Sequence, residues 1–363
     1  MRKNCLGYPV EIVEDSFGAS NVLAEMIMSV TGSENPRVLI VADQNVVQHT
    51  EGLGAKIGAY MTAHGLTLAG TPVILSGGER IKNDNLSSVM TVIGAALDAK
   101  LGLDTCILAI GGGTLLDVAG YAAAQVRGGV KLIRMPTTVA AMTDAAFATY
   151  AAVNTRIVKD ALRVPSTPSG VVIDPLFAKT VLDGVWRAGI GEAIRLAVVS
   201  DAKFLGRIAD GASAFCSRDY DTFVSFMTDA LEIRMKKGAT TFAEWSAQRL
   251  EPLSDYRLPH GYSIGIGIFI DTAYAAAKGH FKAEDRETIH DIFEAAGAFE
   301  GLSHSRHLLY RTESVLCGLD AWALTHGPEI VLPKGLGKSV TTADIDREVY
   351  ADAISSSLDF DVV

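Results

Sequence analysis

The first half of the chain alternates short apolar runs with longer segments whose apolar side chains recur at helical spacing. Apolar runs that predict strands cover residues 8–13 (at an edge), 38–42, 72–75, 105–110, 130–135 and 170–174. Helical patterns between them cover residues 21–30, 54–64 and 85–99, and a further helix starts after Gly113. Strands that alternate with helices of about twelve residues predict a parallel sheet covered on both faces.

The pattern changes after residue 174, where strand signals almost vanish. Helical spacing covers residues 177–182, 185–200, 204–209, 220–236, 264–278, 283–296 and 312–324, and residues 329–332 could form one short strand. The fold class predicted is therefore an α/β domain with a parallel sheet, followed by an all-α domain. We place the domains at 1–176 and 177–363.

A glycine-rich turn joins the strand at 105–110 to the helix that follows. Gly111, Gly112 and Gly113 allow backbone N–H groups to approach a phosphate where a helix end favours negative charge. The alternative is an ordinary strand-to-helix turn with glycines for steric reasons. Several other polar residues also follow predicted strands: Asp43, Glu79, Lys82, Thr137 and Thr138. Because ligands bind at the carboxyl ends of parallel strands, these positions indicate one ligand-binding edge.

The glycine-rich turn is not the standard dinucleotide fingerprint, because its glycines are consecutive and no acidic residue ends a strand about 20 residues later. Asp43 ends the earlier strand, where its carboxylate could accept hydrogen bonds from ribose hydroxyls or could cap the next helix. Glu79 and Lys82, taken as a bare pair, fit a solvated salt bridge.

Composition excludes several classes of function. The 363 residues carry a net charge of -10 and no lysine or arginine cluster, which argues against a nucleic-acid partner. No apolar run reaches the roughly 18 residues of a membrane span, and the first residues lack the apolar core of a signal peptide. The four cysteines are scattered without paired spacing, as expected for reduced, mostly buried thiols in the cytoplasm: Cys5, Cys106, Cys216 and Cys317.

The helical half contains three residues of metal-binding type. Glu192 lies among small and apolar residues, Glu244 shares a helix face with Gln248, and His260 precedes an apolar helix. Together Glu192, Glu244 and His260 could hold a divalent cation. The alternative for His260 is a capping or core histidine.

Eight of these segments, in order and with nearly the same spacing, resemble the sugar phosphate cyclase superfamily, whose best-known member is 3-dehydroquinate synthase. The segments are 42–46, 78–83, 111–120, 136–144, 152–154, 173–175, 191–195 and 258–261. The resemblance implies an NAD-binding domain, a helical metal domain and a homodimer. In this family NAD oxidises one hydroxyl of a sugar phosphate, phosphate is eliminated, the hydride returns, and an aldol reaction closes a carbocycle.

The resemblance also implies roles for individual residues. The NAD-side positions are Asp43, Glu79, Lys82, Gly112, Gly113, Asp117, Thr137, Thr138, Asp144, Lys159 and Thr180. The metal ligands are Glu192, Glu244 and His260, for Zn or for Mn, Mg or Co, and the catalytic positions are Lys159, Arg195, Glu244 and His260.

Several positions depart from the family pattern. Glu244 and Gln248 replace two histidines, Tyr150 replaces a substrate-binding lysine, and Trp322 lies in a segment that is rich in lysine elsewhere. Gln248 cannot exchange protons near neutral pH. Lys159, Arg195 and Arg156 remain as cations.

Three hypotheses for function follow. The first is a divergent cyclase with an altered, sugar-derived substrate, which we do not expect to make dehydroquinate. The second is an NAD-dependent dehydrogenase of polyols or glycerol-phosphate type that forms no ring. The third is a non-catalytic homologue. Tyr150, Trp245 and Trp322 line a less polar pocket or are core aromatics.

Overall fold

The structure is a computed structural model that describes residues 2–3, 7–155 and 158–359. Arg156 and Cys5 lie outside the described residues. The chain forms two compact units, Met1–Leu182 and Asp183–Val363. The first unit thus extends past residue 176, where the sequence pattern placed the end of the α/β domain.

The first unit is an α/β structure. Its strands are β1 (Arg2–Lys3), β2 (Val10–Ile12), β3 (Arg37–Asp43), β4 (Thr67–Leu68), β5 (Val73–Leu75), β6 (Thr105–Gly111), β7 (Lys131–Pro136), β8 (Tyr150–Thr155), β9 (Val158–Pro165) and β10 (Gly170–Ile173). Its α-helices are α1 (Val22–Thr31), α2 (Gln44–His49), α3 (Leu53–Ala63), α4 (Ser87–Asp98), α5 (Gly113–Gln125) and α6 (Val139–Thr143). Short 3₁₀ turns include Glu79–Lys82 and Pro175–Thr180.

Eight strands make the main sheet, in the order β1-β2-β10-β7-β6-β3-β4, with β5 also paired to β3. All its pairings are parallel except that of β1 with β2. Every residue of β6 is buried, as expected for a strand covered on both faces. The prediction of a covered parallel sheet is confirmed.

A separate antiparallel hairpin of β8 and β9 was missed by the sequence analysis. The five β8 residues after Tyr150 are all buried or half-buried, whereas β9 shows no strict alternation of buried and exposed positions. Without that alternation the period-two signal of a strand is absent.

The second unit is mainly helical. Its helices are α7 (Asp183–Ala188), α8 (Ile190–Ser200), α9 (Ala202–Cys216), α10 (Tyr220–Lys237), α11 (Glu244–Leu253), α12 (His260–Ala277), α13 (Ala283–Ala295), α14 (Phe299–Ser303), α15 (Thr312–His326) and α16 (Arg347–Ser356). One hairpin, β11 (Ile330–Pro333) with β12 (Ser339–Thr342), interrupts them, so this domain is not purely α-helical.

Two details of the second unit differ from the sequence pattern. The single helix expected at 185–200 is broken at Gly189 into α7 and α8. His260 is the first residue of α12 rather than part of a preceding turn, and Pro259 supplies the extended residue before it. No helix among the described residues is both long and apolar enough to span a membrane.

The described cysteines are free thiols, but they are not mostly buried as expected. Cys106 is buried in β6, Cys216 is intermediate and Cys317 is exposed.

Candidate functional site

The polar residues that follow the parallel strands lie at one edge of the main sheet. Asp43 ends β3, the turn Glu79–Lys82 follows β5, and Gly112 follows β6. Thr137 and Thr138 follow β7. Since these strands run parallel, their carboxyl ends share this edge, as the sequence predicted.

The helix after the glycine turn has an open N-terminus. Gly112 is the residue before α5 and provides no side-chain cap, and the first helical hydrogen bond runs from Leu116 N to Gly112 O at 3.1 Å. The preceding backbone N–H groups have no carbonyl partner within the helix, which is the arrangement that binds phosphates.

The three glycines are also required sterically. A Cβ on Gly111 would lie 2.9 Å from Leu115, one on Gly112 3.2 Å from Thr138, and one on Gly113 3.1 Å from Ala145. The steric explanation offered from the sequence is therefore supported, and the phosphate-binding explanation stays a prediction.

Asp43 caps a helix. Its Oδ1 accepts a hydrogen bond from Asn45 N at 2.7 Å at the start of α2. Burial raises the pKa of Asp43, so its charged form gains from further hydrogen-bond donors. The cap does not exclude a second partner, because a carboxylate can accept several hydrogen bonds.

Lys82 is a buried cation between two carboxylates, which corrects the expectation of a solvated pair with Glu79. Its Nζ lies 2.7 Å from Asp117 Oδ2 and 2.7 Å from Asp160 Oδ1, and the residue is 4% exposed. Burial alone would lower the pKa of Lys82, but Asp117 and Asp160 hold that pKa well above its usual value. The ammonium is therefore charged and bound to two partners.

Asn154 joins Glu79 to the same cluster. Asn154 Nδ2 donates to Glu79 Oε2 at 3.1 Å, and Asn154 Oδ1 accepts from Asp160 N at 2.8 Å. We call Glu79, Lys82, Asp117, Asn154 and Asp160 the lysine cluster. Asn154 and Asp160 were not assigned a role from the sequence, although Asp160 directly follows Lys159.

The remaining predicted NAD-side residues are placed as follows. Thr137 is fully buried, and its Oγ1 has no hydrogen-bond partner among the described residues. Thr138 caps α6, Asp144 ends that helix, and Lys159 lies in β9. Thr180 ends the 3₁₀ turn that contacts α2, and its Oγ1 donates to Phe177 O at 2.7 Å. Their contacts with a cofactor stay predictions.

In the second unit, two glycines bring Glu192 next to His260. A Cβ on Gly261 would lie 1.9 Å from Ala188 O, and one on Gly191 would lie 2.4 Å from Gly261 O. The backbones of these helices are thus in direct contact. His260 Nε2 lies 3.1 Å from Glu192 Oε1 as a result.

This contact lacks the alignment of a hydrogen bond. Glu192 is 3% exposed, and its Oε1 has no hydrogen-bond partner among the described residues. On the other side of the ring, His260 Nδ1 lies 2.7 Å from Oε1 of the buried Glu251. A buried oxygen without a donor, facing an imidazole nitrogen, is an arrangement that a cation would complete.

Arg195 lies between the two glutamates predicted as metal ligands. Its Nη2 is 2.7 Å from Glu192 Oε2, and its Nη1 is 3.5 Å from Glu244 Oε2. Glu244 also accepts from Gln248 Nε2 at 3.3 Å, so the predicted shared helix face is confirmed. We call Glu192, Arg195, Glu244, Glu251 and His260 the arginine cluster.

The structure therefore brings Glu192 and His260 together, whereas Glu244 contacts Arg195. Within the described ranges, no three His, Cys, Asp or Glu side chains are arranged so that they could hold a metal ion. Glu192 Oε1 and His260 Nε2 are two donor atoms of the kinds that a divalent cation binds, and the cation and its third ligand stay predictions.

The three aromatic residues left open by the sequence differ in environment. Trp245 and Trp322 are core residues, and their Nε1 atoms donate to Asp271 and to Glu329 O. Tyr150 is 37% exposed, with the Arg163 guanidinium 5.2 Å from its ring centroid.

Comparisons with known proteins agree with this architecture. The family model "3-dehydroquinate synthase N-terminal" matches residues 72–187. The 3-dehydroquinate synthase of Shewanella pealeana is 24% identical over 377 residues, which is 96% of each chain. The chain is thus similar to 3-dehydroquinate synthases over nearly its whole length, with the family match confined to residues 72–187.

Two solved structures share the fold of this chain. The 2-epi-5-epi-valiolone synthase ValA from Streptomyces hygroscopicus subsp. jinggangensis 5008, solved with NAD+ and Zn2+, has a TM-score of 0.81 at 20% identity over 96% of each chain. A 2-deoxy-scyllo-inosose synthase complexed with carbaglucose-6-phosphate, NAD+ and Co2+ has a TM-score of 0.77 at 18% identity over 96% of each chain. The predicted two-part fold is confirmed.

Proposed function

We propose that this protein is a divergent sugar phosphate cyclase-like enzyme of specialised metabolism that depends on NAD and whose substrate differs from that of 3-dehydroquinate synthase. The observation that carries the proposal is the Glu192–His260 pair, which is held by two backbone contacts in a chain that is similar to 3-dehydroquinate synthases over 96% of its length. The pair offers one carboxylate oxygen and one imidazole nitrogen to a divalent cation.

Residues of the first unit would hold NAD, and residues of the second unit would hold the metal ion. The open end of α5, Asp43 and the threonines after β7 would bind NAD, and Glu192 and His260, with Glu244 as third ligand, would bind a divalent ion such as Zn. When bound, NAD exchanges a hydride with the substrate and the metal polarises the hydroxyl that is oxidised. The chain itself supplies orientation and charge.

The altered substrate follows from side chains that the superfamily pattern does not have. Tyr150 carries no charge where a lysine is usual, and Gln248 is bound to Glu244 and cannot transfer a proton near neutral pH. Each lost charge-assisted contact to a substrate anion costs about 1.5–3 kcal/mol. We therefore expect little turnover of the dehydroquinate precursor.

Gln248 also favours a second candidate function. An enzyme without a proton-transferring group at position 248 can still oxidise a polyol and release NADH without ring closure. A net yield of NADH distinguishes this dehydrogenase from a cyclase, which returns the hydride to its product.

The test begins with the purified protein. We expect mass spectrometry to detect NAD and elemental analysis to detect a divalent metal. The protein is then mixed with seven-carbon sugar phosphates, with the dehydroquinate precursor and with free polyols. Phosphate release without net NADH supports the cyclase, net NADH without phosphate supports the dehydrogenase, and efficient dehydroquinate formation contradicts the proposed substrate change.

A glycine variant tests the NAD site directly. Gly113→Val places a side chain against Ala145 at the start of α5, and we expect NAD to bind about tenfold more weakly, a change of about 1.4 kcal/mol. Gly94→Ala in α4 is the control, since a Cβ there meets no atom within 4 Å. Equal NAD affinity in both variants would contradict the assignment.

The cytoplasmic location and homodimeric state that the resemblance implies belong to the same proposal. Sedimentation of the purified protein tests the dimer.

A further inference from the structure

Glu251 is a fully buried carboxylate beside His260. It lies in α11 at 0% exposure, and its Oε1 is 2.7 Å from His260 Nδ1. Ser263 Oγ lies 3.0 Å from the same oxygen. No sequence pattern marks Glu251 for a role, although it lies seven residues after Glu244 on the same helix and therefore on nearly the same face.

A carboxylate at this position determines which ring nitrogen carries the proton. An ionised carboxylate only accepts hydrogen bonds, so the short contact requires a proton on His260 Nδ1. In a neutral imidazole the other nitrogen, Nε2, then carries no proton, and its lone pair can accept a hydrogen bond or bind a metal ion. The buried carboxylate also fixes the plane of the ring, because the 2.7 Å contact requires Nδ1 to point at Oε1.

The lone pair of Nε2 faces Glu192. The Nε2–Oε1 distance of 3.1 Å is not accompanied by hydrogen-bond alignment, and Glu192 Oε1 has no other donor among the described residues. A proton on Nε2 could be donated to Glu192 Oε1. With the proton on Nδ1 instead, the lone pairs of His260 Nε2 and Glu192 Oε1 face each other without a hydrogen between them. A cation between or beside them removes this conflict.

We propose that Glu251 is a positioning residue that holds the Nδ1–H tautomer of His260 and presents Nε2 to a divalent cation shared with Glu192. This inference rests on the proposed function for its cation, but the tautomer is a property of the chain alone. Partners of this kind on ligating histidines change metal affinity by about 10- to 100-fold when they are removed.

The experiment compares three variants in the full chain. Glu251→Leu removes the acceptor and keeps a similar volume, Glu251→Gln keeps one acceptor oxygen, and Ser263→Ala removes a neighbour of the same carboxylate without touching the Nδ1 acceptor. Metal-free protein labelled with ¹⁵N-histidine is measured by NMR at a pH of about 8.5, where an ordinary imidazole is neutral. His260→Asn assigns the signal.

We expect His260 to be protonated at Nδ1 in the wild type, in Ser263→Ala and in Glu251→Gln, and at Nε2 in Glu251→Leu. Titration with Co2+, followed by its visible absorption, should show about 10- to 100-fold weaker binding in Glu251→Leu and a smaller change in Glu251→Gln.

Two results would overturn the inference: a wild-type His260 protonated at Nε2, or an unchanged tautomer in folded Glu251→Leu. If Glu251→Leu does not fold, the tautomer of His260 in the wild type still tests the inference. If no protein, the wild type included, binds Co2+ or Zn2+, the proposed metal site is contradicted. The NMR result would still show whether Glu251 sets the tautomer of His260.

Discussion

The lysine cluster and the arginine cluster each place a buried cation between two carboxylates, yet they differ in how completely their polar atoms are paired. Lys82 contacts both partners at 2.7 Å, and Asn154 links the remaining groups. Arg195 contacts Glu192 at 2.7 Å but Glu244 at 3.5 Å, and Glu192 Oε1 has no hydrogen bond within the described part of the chain.

The difference indicates two kinds of role. A cluster whose members pair with one another stabilises the elements that carry them, here the 3₁₀ turn at Glu79–Lys82, α5 and the β8–β9 hairpin. A cluster with an unpaired buried oxygen and an oriented imidazole has a place for a ligand.

The largest effect is expected from Lys82→Met. The variant leaves Asp117 and Asp160 without their shared cation, and removing one partner of a buried ion pair costs about 3–5 kcal/mol. Urea unfolding measures the loss in the free energy of unfolding.

The control is Arg347→Met, which removes the exposed pair between Arg347 and Asp320. Exposed pairs contribute about 0–1 kcal/mol, so this variant should be nearly as stable as the wild type. Similar losses in the two variants would show that the lysine cluster does not stabilise the first unit.

A second prediction compares Asp160 with Asp271, a buried carboxylate whose donors are the neutral groups of Ala243, Trp245 and Tyr350. Burial raises the pKa of Asp271 from 3.8 to about 7. Between about pH 4 and 7 the folded protein therefore keeps a proton that the unfolded chain loses. Stability from this group falls as pH rises, by up to about 1.4 kcal/mol per pH unit.

We expect the Asp271→Asn variant to lack this loss of stability with rising pH. In urea titrations, the difference in free energy of unfolding between the wild type and Asp271→Asn should therefore decrease between pH 5 and 7. Asp160 should show the opposite sign. Burial alone would raise the pKa of Asp160, but Lys82 holds it below the usual 3.8, so its contribution is lost as pH falls below that value. A parallel pH dependence of Asp160→Asn and Asp271→Asn would remove the distinction.

The smallest effect separates the two roles left open for Asp43. Asp43→Ala should cost about 1 kcal/mol because α2 loses its cap, whereas Asp43→Ser keeps a capping oxygen and should unfold within about 0.5 kcal/mol of the wild type. If Asp43 also binds ribose hydroxyls, both variants bind NAD more weakly. Unchanged NAD affinity in Asp43→Ser would leave the cap as its whole role.

The fold was predictable because its signals are local. Three of these signals each lie within one short segment: the apolar runs within β3 and β6, the glycine turn between β6 and α5, and the i,i+4 relation of Glu244 to Gln248. The Glu192–Arg195 pair, at i,i+3, carries the same kind of signal.

Partner choice within the clusters was not predictable in the same way. Lys82 and Asp160 lie 78 positions apart, and Asp160 approaches through a hairpin that lacks a periodic pattern. Glu251 reaches His260 across a helix end. Such contacts depend on how helices and strands pack against one another. A sequence pattern can therefore single out a charged residue without predicting which residue it pairs with.

The contact of Gly191 and Gly261 has a consequence for how such an enzyme can change. Because main-chain atoms alone set the spacing of Glu192 and His260, no bulkier residue can enter at either glycine without separating them. Helix α11, which supplies Glu244 and Gln248, is under no such constraint at those two positions. New reactivity in this fold is therefore most readily acquired by exchanging side chains on α11 while the contact between Gly191 and Gly261 is conserved.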